Sequence, residues 1–212
     1  MEVDNSPGQN CVRNHGGKGI FGDPFLRHKQ KAVRILLQNV GGIGFVSGER
    51  NKETLKMEKL KMAVCNFSVD LLCLTEVNKD WRKVNTKHTV WEGTKSWKEN
   101  RRVQASYNVT QQPDTVNQVG GTVTCAFDEL VFGICNQGSD NRKLGRWSYI
   151  IIEGKNSLKT AFITCYCPVK GSNPGSAYTQ QLVYMNLNRH LIPDGITCPR
   201  QLFGHDLQSL IS

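Results

Sequence analysis

The sequence predicts an α/β fold, because two short apolar segments flank a stretch with helical periodicity. Residues 33–39 form an apolar run that leads into Gly41 and Gly42, which is typical of a buried strand. Residues 70–76 form a second run of this kind. Between them, apolar residues recur every three or four positions, as on one face of a helix: Met57, Leu60, Val64 and Phe67. The lysines of this stretch are predicted mostly on its exposed surface: Lys52, Lys56, Lys59 and Lys61.

The order strand, helix, strand favours a parallel pair joined by a crossover helix. Both strands then end at the same edge of one sheet, where Asn39 and Glu76 become neighbours. Ligands of α/β sheets gather outside the carboxyl ends of strands. An amide and a carboxylate that meet at this edge therefore form a candidate polar site.

A basic and aromatic region follows Glu76, and its lack of regular spacing predicts a loop. Aromatic rings among Lys and Arg are typical of surfaces that stack bases and contact phosphates. The candidate nucleic-acid surface comprises Trp81, Arg82, Lys83, Trp97, Arg101 and Arg102. Alternatively, the tryptophans anchor a long loop on the core, since Trp is usually largely buried. The sequence leaves both interpretations open.

Two pairs of apolar segments predict antiparallel strands in the middle of the chain. Residues 120–127 and 130–135 flank a turn at Asp128, and residues 147–153 and 158–165 flank a turn at 154–157. Helical patterns follow over residues 178–190 and from residue 199 onward.

Tyr166 directly follows the last predicted strand, and Pro168 and Gly171 predict a loop after it. Tyr166 is therefore predicted at a strand end, as are Asn39 and Glu76.

Length and patterning suit one intracellular domain. With 212 residues, the chain can form a single core. Residues 1–27 are rich in Gly, Asn and His and are predicted to be a flexible extension, which leaves 28–212 for the domain. No apolar stretch approaches the ~20 residues of a membrane span. The N-terminus also lacks the layout of a signal peptide, so we expect a protein of the cytoplasm or nucleus without a membrane partner. Most of the eight cysteines lie in apolar segments and are predicted to be buried thiols.

The net charge of +9 is concentrated in the first half of the chain. Residues 1–106 hold 19 basic and 11 acidic residues, whereas residues 107–212 hold 8 and 7. This excess favours polyanionic partners such as nucleic acid, although a basic surface can also be simply a solvated coat.

Several short segments together resemble one known family. They are Gln38-Asn39-Val40-Gly41-Gly42, Leu74-Thr75-Glu76-Val77-Asn78, Gly120-Gly121, Gly145-Arg146-Trp147 and Cys165-Tyr166-Cys167-Pro168. In order and spacing, they resemble the endonuclease/exonuclease/phosphatase superfamily from about Val33 onward, most closely its retroelement-type endonuclease domains. The resemblance implies a DNase I-like α/β sandwich, a mixed sheet flanked by helices, that hydrolyses phosphodiesters of DNA with Mg²⁺ or Mn²⁺.

The resemblance also implies roles for single residues. Glu76 would bind the metal ion, Asn39 would orient the attacking water or a neighbouring acidic group, and Tyr166 would contact the scissile phosphate. Arg146 would face a phosphate. Such roles suit Mg²⁺, which prefers oxygen ligands and keeps several waters when it binds a carboxylate together with substrate phosphates.

The chain also departs from the family pattern. Gly41 and Thr75 stand where many members have an acidic or amide residue and a glutamine, and the later Gly-Asp-x-Asn and Ser-Asp-His motifs are missing. We therefore expect a partial domain, truncated at the C-terminus, without the general base of the family. The alternatives are a catalytically inactive nucleic-acid-binding remnant and an inositol-phosphate or lipid phosphatase relative.

Overall fold

The computed structural model describes residues 32–43, 52–109, 117–171 and 173–212. Its strands form a four-stranded sheet, in the order β1-β2-β4-β3, and a three-stranded sheet, in the order β5-β6-β7. The strands are β1 (Ile35–Asn39), β2 (Leu71–Thr75), β3 (Arg101–Ser106), β4 (Thr122–Phe127), β5 (Ile134–Ser139), β6 (Trp147–Glu153) and β7 (Lys159–Cys165). The helices are α1 (Lys52–Asn66), α2 (Val90–Gly93), α3 (Ala177–Leu187) and α4 (Pro199–Ile211). The predicted extension of residues 1–27 lies outside the described residues.

The predicted strand-helix-strand unit is confirmed. β1 and β2 are parallel, in a register that runs from Ile35 opposite Leu71 to Asn39 opposite Thr75. The apolar stripe of α1 packs on this sheet through three buried side chains: Met57, Leu60 and Val64. Burial of such side chains contributes on the order of 1.5–3 kcal/mol each.

The prediction that β1 is buried is wrong. β1 is an edge strand, and Ile35 and Leu37 are 54% and 66% exposed. Leu36 alternates onto the other face and packs against the cluster that includes α1. The apolar run of β1 therefore has one covered face, whereas β2, in the interior of the sheet, is buried at Leu71, Leu72, Cys73 and Leu74.

The predicted pairing of residues 120–127 with 130–135 is also wrong. β4 pairs antiparallel with β2 and β3, whereas β5 pairs with β6 in the other sheet. A short 3-10 helix, Asp128–Gly133, carries the chain from one sheet to the other instead of closing a hairpin. β3 lies where the sequence predicted a loop. The β6–β7 hairpin is confirmed.

The two sheets pack face to face through an apolar cluster and a layer of hydroxyl groups. Leu71 and Ala126 of the larger sheet pack in one cluster with Ile150 of the smaller sheet. Next to it, the Thr124 hydroxyl lies 2.7 Å from the Thr164 hydroxyl and 2.9 Å from the Ser148 hydroxyl. These buried hydroxyls satisfy one another, which removes the cost of burying them unpaired. The prediction of an α/β fold with a mixed sheet and helices is confirmed, and the second sheet is antiparallel throughout.

Some of the described cysteines are buried and one is exposed. Cys73 and Cys125 are buried thiols, as predicted, but Cys135 is exposed, and none of the described cysteines forms a disulfide. Burial raises the pKa of the Cys125 thiol well above its usual value. In the described part of the chain, every helix is too short or too polar to cross a membrane.

Candidate functional site

Backbone hydrogen bonds connect four loops at one edge of the stacked sheets, which we call the site rim: residues 39–42, 76–79, 117–121 and 144–146, with Tyr166. The loops after β1 and β2 meet where Gly42 N–H donates to the Glu76 carbonyl at 2.7 Å. The Asn78 N–H reaches the Gly120 carbonyl at 2.8 Å, and the Gly121 N–H reaches the Gly145 carbonyl at 3.0 Å. The structure therefore places the strand ends that contain Asn39, Glu76 and Tyr166 at the same rim.

Glu76 lies close enough to Tyr166 to affect its ionisation. The pKa of the Tyr166 hydroxyl is raised to about 12, first by burial and then by the charge of the Glu76 carboxylate and a hydrogen bond with it. The Tyr166 N–H also donates to the Arg146 carbonyl at 2.7 Å, which fixes its backbone at the rim. A carboxylate and a protonated phenol thus lie side by side, both half-buried.

The backbone at Glu76 is unusual. Glu76 and Asn78 have φ values of 54° and 53°, in the left-handed region that costs a residue with a side chain about 1–2 kcal/mol. The Asn78 side chain compensates in part, since its Oδ1 accepts the Gly120 N–H at 2.8 Å. Strained residues that neighbouring hydrogen bonds hold in place are typical of functional sites.

Asn39 is exposed at the same rim, but its side chain is used locally. Its Oδ1 accepts the Gly41 N–H at 3.1 Å and closes a short turn after β1. The structure thus places Asn39 in backbone register with Thr75, the residue before Glu76. Its role in orienting a water or an acidic group stays a prediction.

Lys56 stabilises the loop after β1 at the site rim, a role that the sequence did not predict. Its ammonium group donates to the carbonyls of Val40 at 2.7 Å, Gly42 at 3.0 Å and Gly41 at 3.3 Å. It therefore fixes the loop that also bonds the Glu76 carbonyl. The lysines of α1 were predicted mostly on the exposed surface, and Lys56 is half-buried because the end of α1 that carries it faces the loop.

The structure does not place Arg146 where a phosphate could reach it. Its side chain is fully buried, with Nε and Nη2 bonded to Asp140 at 2.8 Å and 2.7 Å and Nη2 bonded to Asp206 at 2.9 Å. The guanidinium also lies 4.3 Å from the centroid of the Trp147 ring. The prediction that Arg146 faces a phosphate is corrected, because the whole guanidinium is buried and two carboxylates bind its Nε and Nη2, while Nη1 is buried without a partner among the described residues.

The predicted nucleic-acid surface divides into three parts. Trp81 and Trp97 are only 5% and 6% exposed and belong to the core, so the anchoring interpretation is correct for them. Arg101 and Arg102 begin β3 opposite Phe127 and Ala126, at the end of the sheet away from the rim. Arg82 and Lys83 follow the rim loop of Glu76 closely along the chain.

The oxygen atoms at the rim would suit a weakly held Mg²⁺ ion as its ligands. Within the described residues, no group of three or more His, Cys, Asp or Glu side chains could enclose a metal ion. Glu76 offers one carboxylate, and the other oxygens nearby belong to Tyr166 and Asn78. Mg²⁺ tolerates such a site, because it keeps several waters and takes further oxygens from substrate phosphates.

The raised pKa of Tyr166 predicts a loss of stability at high pH. The unfolded tyrosine ionises near its ordinary value of 10.0, while the folded one ionises at about 12. The stabilisation is therefore complete below pH 10 and lost as the pH rises from 10 to 12, since the unfolded state loses the proton first. Urea unfolding across this range should show a steeper loss for the wild type than for Tyr166→Phe.

An ultraviolet difference titration of the wild type against Tyr166→Phe isolates the ionisation of this one phenol. In the Glu76→Gln background the midpoint should move down, because the neighbouring negative charge is gone. An unchanged midpoint would show that the two side chains do not interact.

The chain is similar to the solved structure of an endonuclease/exonuclease/phosphatase family protein from Leptotrichia buccalis C-1013-b, with 14% identity and a TM-score of 0.44. The similarity covers 74% of this chain and 63% of that protein, so the chain spans less than two thirds of its length. No protein-family model and no curated protein matches the chain.

Proposed function

We propose that the chain carries the metal-binding and phosphate-contacting part of a Mg²⁺-dependent endonuclease of the retroelement type, which binds phosphodiesters of nucleic acid at the site rim. The observation that supports this most is that backbone hydrogen bonds connect the loops of Glu76 and Tyr166 at one rim of the stacked sheets, where the carboxylate affects the phenol. A carboxylate is the ligand that Mg²⁺ prefers, and a phenol is a donor for a phosphate oxygen.

The roles follow from the state of each group. Glu76 would hold the metal ion, which when bound would neutralise charge on the reacting phosphate. The Tyr166 hydroxyl stays protonated at neutral pH because its pKa is about 12, so it can donate to a phosphate oxygen. Lys56 would keep the Asn39 loop against Glu76 through its three carbonyl contacts. Asn39 could turn toward a water or an acidic group on giving up its bond to Gly41.

The sequence lacks the Gly-Asp-x-Asn and Ser-Asp-His motifs that supply the general base in the family. Water attack needs such a base within hydrogen-bond reach. We therefore expect this chain to hydrolyse DNA slowly or not at all while it still binds metal and nucleic acid. This absence favours the second candidate function, nucleic-acid binding without catalysis.

The test compares Glu76→Gln with Glu153→Gln. Glu153 is exposed at the far end of β6, so its variant is a matched control for the loss of one carboxylate. We expect Mn²⁺ affinity, measured by calorimetry, and any Mg²⁺-dependent plasmid nicking to fall by ~100-fold or more in Glu76→Gln alone.

Three outcomes discriminate between the candidates. Nicking that needs metal and Glu76 supports the nuclease. Metal-independent binding of nucleic acid without nicking supports the second candidate function. Equal loss of metal affinity in both variants contradicts the assignment of Glu76 as the metal ligand.

A further inference from the structure

Arg82 is held in a fixed position at the surface by a buried carboxylate. Its Nε donates to Asp80 Oδ1 at 2.9 Å and its Nη2 donates to Asp80 Oδ2 at 2.7 Å, so the contact is bidentate. Asp80 is fully buried, whereas the Arg82 side chain is 51% exposed. An exposed arginine normally samples many rotamers, but the buried Asp80 carboxylate fixes the plane of the Arg82 guanidinium.

Asp80 is itself fixed by the backbone. Its Oδ1 also accepts the Arg82 N–H at 3.1 Å and caps the 3-10 helix Trp81–Lys83. Burial would raise the pKa of Asp80, but the hydrogen bonds from Arg82 outweigh it and hold the pKa below its usual value. The carboxylate therefore stays charged at neutral pH and keeps the guanidinium in place. The buried ring of Trp81 anchors the same turn to the core.

An aromatic ring lies beneath this guanidinium. The Arg82 Cζ lies 5.4 Å from the centroid of the Tyr107 ring, within the range of a cation–π contact. Tyr107 is half-buried and packs against the same core cluster as Trp81. The arrangement is thus a layer of aromatic ring and guanidinium on a rigid support.

This layer lies at the site rim. Tyr107 directly follows Ser106, which pairs with Thr122 at the first position of β4. A Cβ atom built on Gly145 would lie 3.1 Å from the backbone carbon of Tyr107, which shows how closely the rim loops approach. The neighbouring Lys79 is also fixed, since its Nζ donates to Asn117 Oδ1 at 2.9 Å.

The hydrogen-bond donor and the planar face that the Arg82 guanidinium leaves unused suit a nucleotide. The contact with Asp80 uses Nε and Nη2 and leaves Nη1 without a partner among the described residues. Nη1 can donate a charge-assisted hydrogen bond to a phosphate oxygen. The face of the guanidinium plane away from Tyr107 can stack on a base, as arginine does in complexes with unpaired strands.

We propose that Arg82, fixed by Asp80 over Tyr107, forms a nucleotide-binding subsite for a single-stranded stretch of nucleic acid beside the Glu76–Tyr166 pair. The subsite would bind one phosphate and stack one base next to the position of cleavage. This inference rests on the proposed function and specifies its substrate as an unpaired strand.

The test measures binding of a labelled oligopyrimidine by fluorescence anisotropy, in EDTA and over a range of salt concentrations. Arg82→Ala should lower affinity by ~10-fold and reduce the slope of log affinity against log salt by about 0.7, as the loss of one phosphate contact predicts. The matched control is Lys159→Ala, which removes one positive charge from an exposed position at the start of β7, at the end of the smaller sheet away from the rim. It should lower affinity by less than about twofold.

Asp80→Asn separates a built subsite from general electrostatic attraction. The asparagine can still cap the turn, but it no longer holds the guanidinium with a charged bidentate contact. General attraction predicts tighter binding, because the variant gains one net positive charge. The subsite predicts weaker binding, by ~3-fold or more, because the fixed position of Arg82 is lost. Circular dichroism and urea unfolding confirm that each variant is folded under the assay conditions.

The outcomes are distinct from those that test catalysis. Equal losses for Arg82→Ala and Lys159→Ala, or tighter binding by Asp80→Asn, would overturn the subsite. Absence of binding by the wild type would overturn it as well. Because binding is measured in EDTA, an equal loss of metal affinity in Glu76→Gln and Glu153→Gln with the Arg82 effects intact would refute the metal site of the proposed function and leave the subsite supported.

Discussion

Replacing Arg146 by leucine should lower the free energy of unfolding by about 3–5 kcal/mol, which is the usual cost of removing one partner from a buried ion pair. Arg146 and Asp140 are both fully buried, and their closest contact is 2.7 Å. Without the guanidinium, the Asp140 charge keeps only backbone donors, among them the N–H groups of Arg142 at 3.1 Å and Leu144 at 3.0 Å. Urea unfolding monitored by circular dichroism measures the loss.

Two further variants give this prediction its controls. Arg102→Leu removes an exposed arginine and should change stability by no more than about 0.5 kcal/mol. Asp206→Asn should cost less than Arg146→Leu, because Arg146 keeps its contact with Asp140. Burial would raise the pKa of Asp206, but the hydrogen bonds from Arg142 and Arg146 hold that pKa below its usual value. The contacts of Asp206 with these two arginines therefore contribute to stability too.

The Arg146 variants also separate a structural role from a phosphate contact. A stability loss below about 1 kcal/mol, together with a clear loss of nucleic-acid affinity, would restore the phosphate role that the sequence suggested. A large stability loss with unchanged affinity in the remaining folded protein would support the ion-pair role that the buried geometry indicates.

The parts of the fold that could be predicted depend on local patterns. The stripe of Met57, Leu60 and Val64 and the apolar run of β2 are contiguous in sequence, so their periodicity and the glycines that end β1 were sufficient. The placement of β4 and β5 in different sheets could not be predicted from such local patterns. It depends on which strands compete for the edges of β4, and no local pattern encodes that competition.

The same distinction applies to the site. The positions of Glu76 and Tyr166 at strand ends could be predicted from the apolar patterns of the strands. The topology then brings both residues to the rim. The roles of Arg146 and Lys56 depend on partners that are distant in sequence: Asp206 lies 60 residues from Arg146, and the loop carbonyls lie 14 to 16 residues from Lys56. Charge alone does not reveal whether a basic residue faces a phosphate, a carboxylate or a carbonyl, because all three accept its hydrogen bonds.

The tryptophans show why composition misled part of the surface prediction. Trp81 and Trp97 have basic neighbours in sequence, yet both rings are in the core. Trp81 contacts Trp91 edge to face, with centroids 6.0 Å apart, a geometry that aromatic rings favour inside proteins. The aromatic ring that does accompany an exposed arginine is Tyr107, which lies 25 residues after Arg82 in the chain.

Replacing Gly145 by alanine should also destabilise the protein strongly, because the rim loops approach one another at this position. Gly145 has a φ of +72°, and a Cβ atom there would lie 2.9 Å from both the Asn108 and the Gly121 nitrogens. Both contacts are backbone atoms, which cannot move aside as a flexible side chain could. The left-handed conformation costs about 1–2 kcal/mol and overpacking about 1–3 kcal/mol, so we expect a loss of about 2–5 kcal/mol.

Gly154→Ala is the matched control for Gly145→Ala, since Gly154 has a φ of −96° and a Cβ atom would lie 3.6 Å from its nearest neighbour, the Leu158 carbonyl oxygen. Its stability should change by no more than about 0.5 kcal/mol in urea unfolding. The Gly145 carbonyl accepts the Gly121 N–H at 3.0 Å, and the next residue accepts the Tyr166 N–H, so displacement of Gly145 should reach the candidate site. In the folded fraction of Gly145→Ala, we therefore expect the pKa of Tyr166 to fall from about 12, as its contact with Glu76 loosens. Equal stability of the two alanine variants, with an unchanged Tyr166 titration, would show that the rim loops are not packed as closely as the structure places them.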